Sequence, residues 1–144
     1  MTLLEAAAAL RRRETSSVEL TEGALDRIAR LNPVTNAILT VMAESARAQA
    51  LQADAELARG QGRGPLHGIP VALKDLFYTK GVRTTGGSKL FAQFVPDHDA
   101  AVVESLAGGG AVLGLPAWLL GWFSWRWAAT RAGPYASRRR SAAW

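Results

Sequence analysis

Apolar positions along the chain change period several times, and each change marks an element. Leu20, Ala24, Ile28 and Leu31 recur at helical spacing along one face. Just upstream, Ser16 and Glu19 have the S/T-x-x-E spacing in which a hydroxyl caps a helix start and a carboxylate reaches back to a free backbone N–H. Thr2 and Glu5 repeat that spacing, so two short helices are predicted to begin at these sites. Arg11 to Arg13 then fall at the C-terminus of the first, where cations are favoured. The second run is expected to stop at Asn32-Pro33, because proline disfavours helix in the residue before it. "NAILTV" after it reads as a short extended segment. From about Met42 to Arg59 an alanine-rich helix former follows, with Ala46, Ala50 and Leu57 on one side, closed by the glycines of "GQGRGP".

The pattern then turns compact. "IPVALK" is an apolar run without clean alternation, as expected for a strand buried on both faces, and Pro70 suits its first positions, where a missing N–H matters least. A long loop containing "KGVRTTGGSK" leads to "DAAVVESLA", a helix whose first turn carries acids. Gly108 to Gly110 end it ahead of "AVLG", a second strand. Strand, connection with helix, and strand is the parallel crossover pattern, so residues 68 to 114 are predicted to form part of an α/β sheet. No internal repeat is visible.

Composition changes this picture in one place. The 144 residues fit about one domain. Residues 1 to 114 hold 12 Lys+Arg against 12 Asp+Glu, whereas residues 115 to 144 hold five Arg, no acid and all five tryptophans. The expected division is therefore 1–114 as folded unit and 115–144 as an atypical Trp/Arg-rich tail. The absence of cysteine excludes disulfides, thiolate nucleophiles and Cys-based metal sites, and with only His67 and His98 a metal would have to lean on carboxylates. Glu5 interrupts the N-terminal apolar stretch and no basic region precedes it, which argues against a secretory signal and for a cytoplasmic protein.

The candidate chemistry centres on Lys74. By residue physics alone it is a solvated lysine where a strand leaves the core. The end of a buried strand in an α/β sheet is also where ligand sites gather, and a desolvated lysine loses its proton more readily and serves as a base. At this point the sequence resembles the amidase signature family, serine amidases that include the amidotransferase A subunit acting on glutamyl-tRNA and many bacterial amide hydrolases. "GPLHGIPVALKDLF" is similar to the family's lysine segment, "GVRTTGGSKLF" to the loop after it, "DHDAAVVESLAGGGAVL" to the next helix and strand, and "SSVELTEGALDRIARLNPVTNAILTV" to the helical lead-in. The resemblance runs from about Leu4 to Leu113.

It implies the N-terminal portion of an amidase-signature fold, truncated, and a Ser-Ser-Lys triad. In such a triad one serine attacks the amide carbonyl, a second relays the proton, and the neutral lysine, matched here by Lys74, accepts it. A hydroxyl is a weak nucleophile at neutral pH unless an adjacent base takes its proton, and an ammonium cannot do so until burial lowers its pKa. The resemblance implies a small-molecule amide substrate in complete relatives and no cofactor. The family carries its serines and oxyanion-hole amides in a Gly/Ser-rich segment further downstream, and none of the eight serines here lies in a Gly-Ser-Ser-Gly run. The expectation is an inactive fragment by itself, since oxyanion donors usually make a large share of catalysis.

Smaller candidates have blander readings. His67 is expected to be a loop histidine satisfying nearby backbone groups. Thr84 to Ser88, "TTGGS", offers backbone N–H groups that could meet an anion, and by resemblance lines the cleft. His98 between Asp97 and Asp99 invites a metal, but acids at a helix start are ordinary caps, and no metal is expected. The tail, beginning "LPAWLLGWFSWRW", reads first as a product of a shifted reading frame, with neither membrane nor nucleic-acid partner. The alternative is a non-catalytic binding module. In that reading the charge-free stretch Ser105 to Trp125 has near the roughly 20 residues a span needs, but the tail associates with a membrane interface through its Trp and Arg, or Arg138 to Arg140 and nearby aromatics contact nucleic acid.

Overall fold

A computed structural model describes residues 2–117, and the Trp/Arg-rich tail from residue 118 lies outside them. The element order is α1 (Leu3–Arg12), α2 (Ser17–Thr35), α3 (Ala43–Ala58), β1 (Pro70–Lys74), a 3-10 turn (Lys89–Phe91), α4 (Ala101–Gly108) and β2 (Val112–Ala117). Both anticipated capping boxes form. Thr2 Oγ1 accepts from Glu5 N at 3.2 Å while Thr2 N donates to Glu5 Oε2, and Ser16 and Glu19 repeat the exchange. Arg13 closes α1 in the left-handed region (φ 58°), and its guanidinium donates to Ala58 O at the end of α3.

One local expectation is corrected. Pro33 does not end α2, which runs on to Thr35. In the last turn a missing N–H removes one ladder bond only, and the helix is then closed by Asn36 (φ 46°), whose N–H reaches Asn32 O at 2.7 Å. "NAILTV" is non-helical as expected, with a lone bridge at Ile38. The Asn32 amide grips Ile38 from both sides, accepting from its N–H at 2.8 Å and donating to its carbonyl at 2.9 Å.

The core is built from small residues. Ala46 and Ala50 of α3 are fully buried against Val112 of β2, with Val18 of α2 alongside. Ala6, Ala7 and Leu10 of α1 meet Leu20 of α2 and Ile69 before β1. Alanines let α3 lie close to the sheet, and Gly114 completes the approach: a Cβ there would sit 2.5 Å from Ala46 Cβ. β1 and β2 pair in parallel, as the crossover pattern requires. Val71 pairs with Leu113 and Ala72 with Leu115, so Gly114 is an extra residue on β2, a bulge whose carbonyl accepts from Met42 N at 2.9 Å.

Burial of β1 differs from expectation. Leu73 is buried, but Ala72 and Lys74 are exposed, so one face is covered and the other open. The apolar run signalled one good face plus small residues, not two covered ones. On β2, the Gln49 amide substitutes for a missing strand: it accepts from Leu113 N at 2.8 Å and donates to Leu113 O at 2.9 Å. The expected boundary at Gly114 falls inside β2, whose pairing continues to Ala117. Among the described residues no helix is long and apolar enough to cross a membrane, and the part of Ser105 to Trp125 beyond Ala117 lies outside them.

Candidate active site at the end of the first strand

β1 delivers Lys74 to its C-terminal end, in register with Ala117. The chain then turns at once, because Lys74 O accepts from both Leu76 N (2.8 Å) and Phe77 N (3.0 Å). Asp75 organises the loop beyond the strand. It is buried, its Oδ1 accepts from Thr85 N at 2.9 Å, its Oδ2 accepts from Thr85 Oγ1 at 2.5 Å, and its backbone carbonyl accepts from Gly86 N at 2.8 Å. One aspartate thus clasps the "TTGGS" turn to the strand end. Gly86 (φ 55°) and Gly87 (φ 75°) supply the left-handed conformations that bring the turn back.

This arrangement overturns the anion-cradle reading of Thr84 to Ser88. Thr84 N donates to Phe94 O, Thr85 N and Gly86 N to Asp75, Gly87 N to Thr85 Oγ1, and Ser88 N to Thr85 O. Every N–H of the turn is spent internally, so it braces the strand end. Lys74 itself is exposed, and among the described residues its ammonium has no hydrogen-bonding partner. A strand end with a braced neighbour is a rigid mount for an amine; the desolvation that a lysine base needs is not supplied by residues 2–114.

His67 is buried and structurally satisfied. Its Nδ1 accepts from Arg63 N at 3.0 Å, which assigns the proton to Nε2, facing Ala53 O at 3.3 Å. Beside it Arg63 forks onto both oxygens of Glu56, with Nε to Oε2 at 2.8 Å and Nη2 to Oε1, and Gln52 donates to Oε1 at 2.9 Å. These groups line a cleft of about 230 Å³ between α3 and the start of β2, to which the end of β1 contributes no residue. The hydrogen bond from Arg63, then that from Gln52, holds the Glu56 carboxyl below the usual carboxylate range. A depressed folded-state value means that its stabilisation is complete above the unfolded pKa of about 4.3 and is lost as pH falls through the lower folded value. The denaturation midpoint should therefore drop on acidification below about pH 4.3, and Glu56→Gln should lower it at pH 7 and flatten that drop, as read by urea titrations across pH.

Around His98 the geometry is local. His98 Nδ1 lies 2.7 Å from Asp97 Oδ1 on the surface, while Asp99 Oδ1 accepts from Lys80 N at 2.6 Å. Neither acid caps α4, which starts two residues beyond Asp99 from Ala100 with no side-chain cap. Among the described residues no group of three His, Asp or Glu side chains could hold a metal ion.

A family model described as "Amidase" matches residues 19–115. The A subunit of the glutamyl-tRNA(Gln) amidotransferase of Methylococcus capsulatus is 54% identical over 112 residues, covering 78% of this chain and 23% of that protein. Its counterpart in Azoarcus sp. is 55% identical over 104 residues, covering 72% and 21%. The native peptide amidase of Stenotrophomonas maltophilia superposes with a TM-score of 0.75 at 34% identity, over 81% of this chain and 24% of that one. The chain spans under a quarter of the length of these relatives.

Proposed function

Because the chain belongs to the amidase family and has the N-terminal part of its fold, we propose that it is the lysine-bearing portion of an amide-processing unit, with Lys74 as the proton acceptor of a Ser-Ser-Lys relay. The observation that carries this reading is the mount: a parallel strand pair sets Lys74 at a strand's C-terminal end, and Asp75 braces the turn beyond it. Open α/β sheets place ligands outside the carboxyl ends of their strands. An amine there, once desolvated, can take a proton from a hydroxyl that attacks an amide carbonyl, and general-base assistance of this kind contributes about 10²–10⁴-fold. The overall reaction is cleavage of an amide C–N bond, with the acyl group passing to water or the released nitrogen to an acceptor. The relatives named as amidotransferase subunits favour partner subunits in the second case.

Taken by itself, the 144-residue chain does not turn over. None of its eight serines lies in a Gly-Ser-Ser-Gly run, and Ser17, the buried one nearest β1 in the hydrogen-bond pattern, donates its hydroxyl to Gly68 O at 2.7 Å. The test is ammonia release by the purified chain from glutamine and simple carboxamides. No release above buffer is expected; release that survives purification and disappears in Lys74→Ala would overturn the claim of inactivity alone.

A further inference from the structure

We propose that the groove between the second half of α2 and the start of α3 binds a small primary amine with an apolar body. The groove encloses about 260 Å³, and none of its lining residues belongs to β1 or to the loop beyond Lys74, so it stands apart from the strand end. Small side chains leave the space open. Ala29 of α2 and Ala43 of α3 line it, and the larger apolar groups beside them are Leu25, which is buried, and Val41, which keeps 43% of its surface exposed.

The charge in the wall selects the ligand. Asp26 and Arg47 are the charged residues that line the groove, and Arg47 is already matched: its Nε donates to Glu22 Oε1 at 2.6 Å and its Nη2 to Glu22 Oε2 at 3.0 Å. The Asp26 carboxylate makes no hydrogen bond among the described residues and acts on Arg47 only through space. Ligand sites of this kind pair an apolar lining with a few placed polar groups. An ammonium is attracted to Asp26 while its hydrocarbon covers Ala29, Ala43 and Val41, whereas an anion would meet the oxygens of Asp26 and Glu22. Size follows from volume. At about 30 Å³ for each water-sized atom, the groove holds roughly nine non-hydrogen atoms.

Phenethylamine has that size, and 2-phenylethanol is its uncharged isostere. Added to the full 144-residue chain, phenethylamine should shift the amide resonances of Leu25, Asp26, Ala29 and Ala43 with a dissociation constant of about 1 mM. The alcohol should bind about threefold more weakly, as an exposed ion pair allows. Asp26→Asn should bring the amine down to the alcohol's affinity and leave the unfolding midpoint unchanged, because Asp26 is exposed. Ala29→Leu should weaken both ligands by at least roughly tenfold by filling the space, and Asp26→Asn keeps the test independent of any repacking around that leucine. Silence of these resonances up to about 10 mM amine, equal affinity for amine and alcohol, or a preference that survives Asp26→Asn would each overturn the site. So would groove resonances that move with protein concentration in the absence of amine, since they would assign the groove to a second copy of this chain.

Discussion

Gly110→Ala is expected to destabilise the chain by about 3 kcal/mol or more, several times the effect of Gly60→Ala. Both glycines hold the same left-handed backbone, with φ of 78° at Gly110 and 73° at Gly60. At Gly60 a Cβ meets nothing within 4 Å, so only the conformational term applies, about 1 kcal/mol. At Gly110 the same atom would stand 2.5 Å from His67 Nδ1 and 2.9 Å from Cγ. The ring cannot step aside, because Arg63 N and Ala53 O hold it from opposite sides and it is 96% buried by the surrounding helices and loop. Gly68 N also donates to Gly110 O at 2.9 Å, so a shift of the backbone would unseat the start of β1. Urea denaturation of the two variants makes the comparison. Combining Gly110→Ala with His67→Ala should recover part of the loss; strictly additive losses would show that the ring contact is not the cause.

Asp54→Ala should be the next largest loss, about 2–3 kcal/mol, with Asp54→Asn nearer 1 kcal/mol. Asp54 stands on α3, yet its carboxylate finishes the start of α2: Oδ1 accepts from Ser17 N at 2.6 Å and Oδ2 from Val18 N at 3.1 Å. Ser16 Oγ already serves Glu19 N, so the first three N–H groups of α2 are all satisfied, two of them from another helix. Alanine leaves those two donors half-buried without an acceptor and removes a negative charge from the positive end of the helix. Asparagine keeps one acceptor oxygen. Equal losses in both variants would show that the charge matters and the hydrogen-bond geometry does not; no loss in either would refute the assigned cap.

The parts of this structure legible in the sequence are those that depend on neighbours in the chain. The capping boxes at Thr2 and Ser16 need only residues three apart, and α3 follows from a long alanine-rich run. The crossover was readable from the order of apolar runs and glycines, which also set Lys74 at a strand end, while its candidate role came only from the family resemblance. What was not legible depends on partners far away. Asp75 reads as one of two charges leaving a strand until the chain returns ten residues later with Thr85. Asp54 and Gln49 carry no local signal of their roles, one capping α2 and the other holding the edge of β2. Pro33 misled because its penalty depends on which turn of the helix it occupies. The clasp of Asp75 had one faint signal, paired threonines and glycines shortly after a strand-ending acid, which suits a side-chain acceptor as well as an anion.

The parallel pairing of β1 and β2 also sets an order of events during synthesis. β1 is complete at Lys74, but its partner is not finished until Ala117, and at ribosomal rates of roughly 5–20 residues per second the interval lasts a few seconds. The three upstream helices close their own contacts in far less time. During the interval Ile69, Val71 and Leu73 have the helices to lean on but no strand beside them. A nascent chain in that state is what holding chaperones recognise, and a pause in translation before β2 emerges from the ribosome would lengthen its exposure.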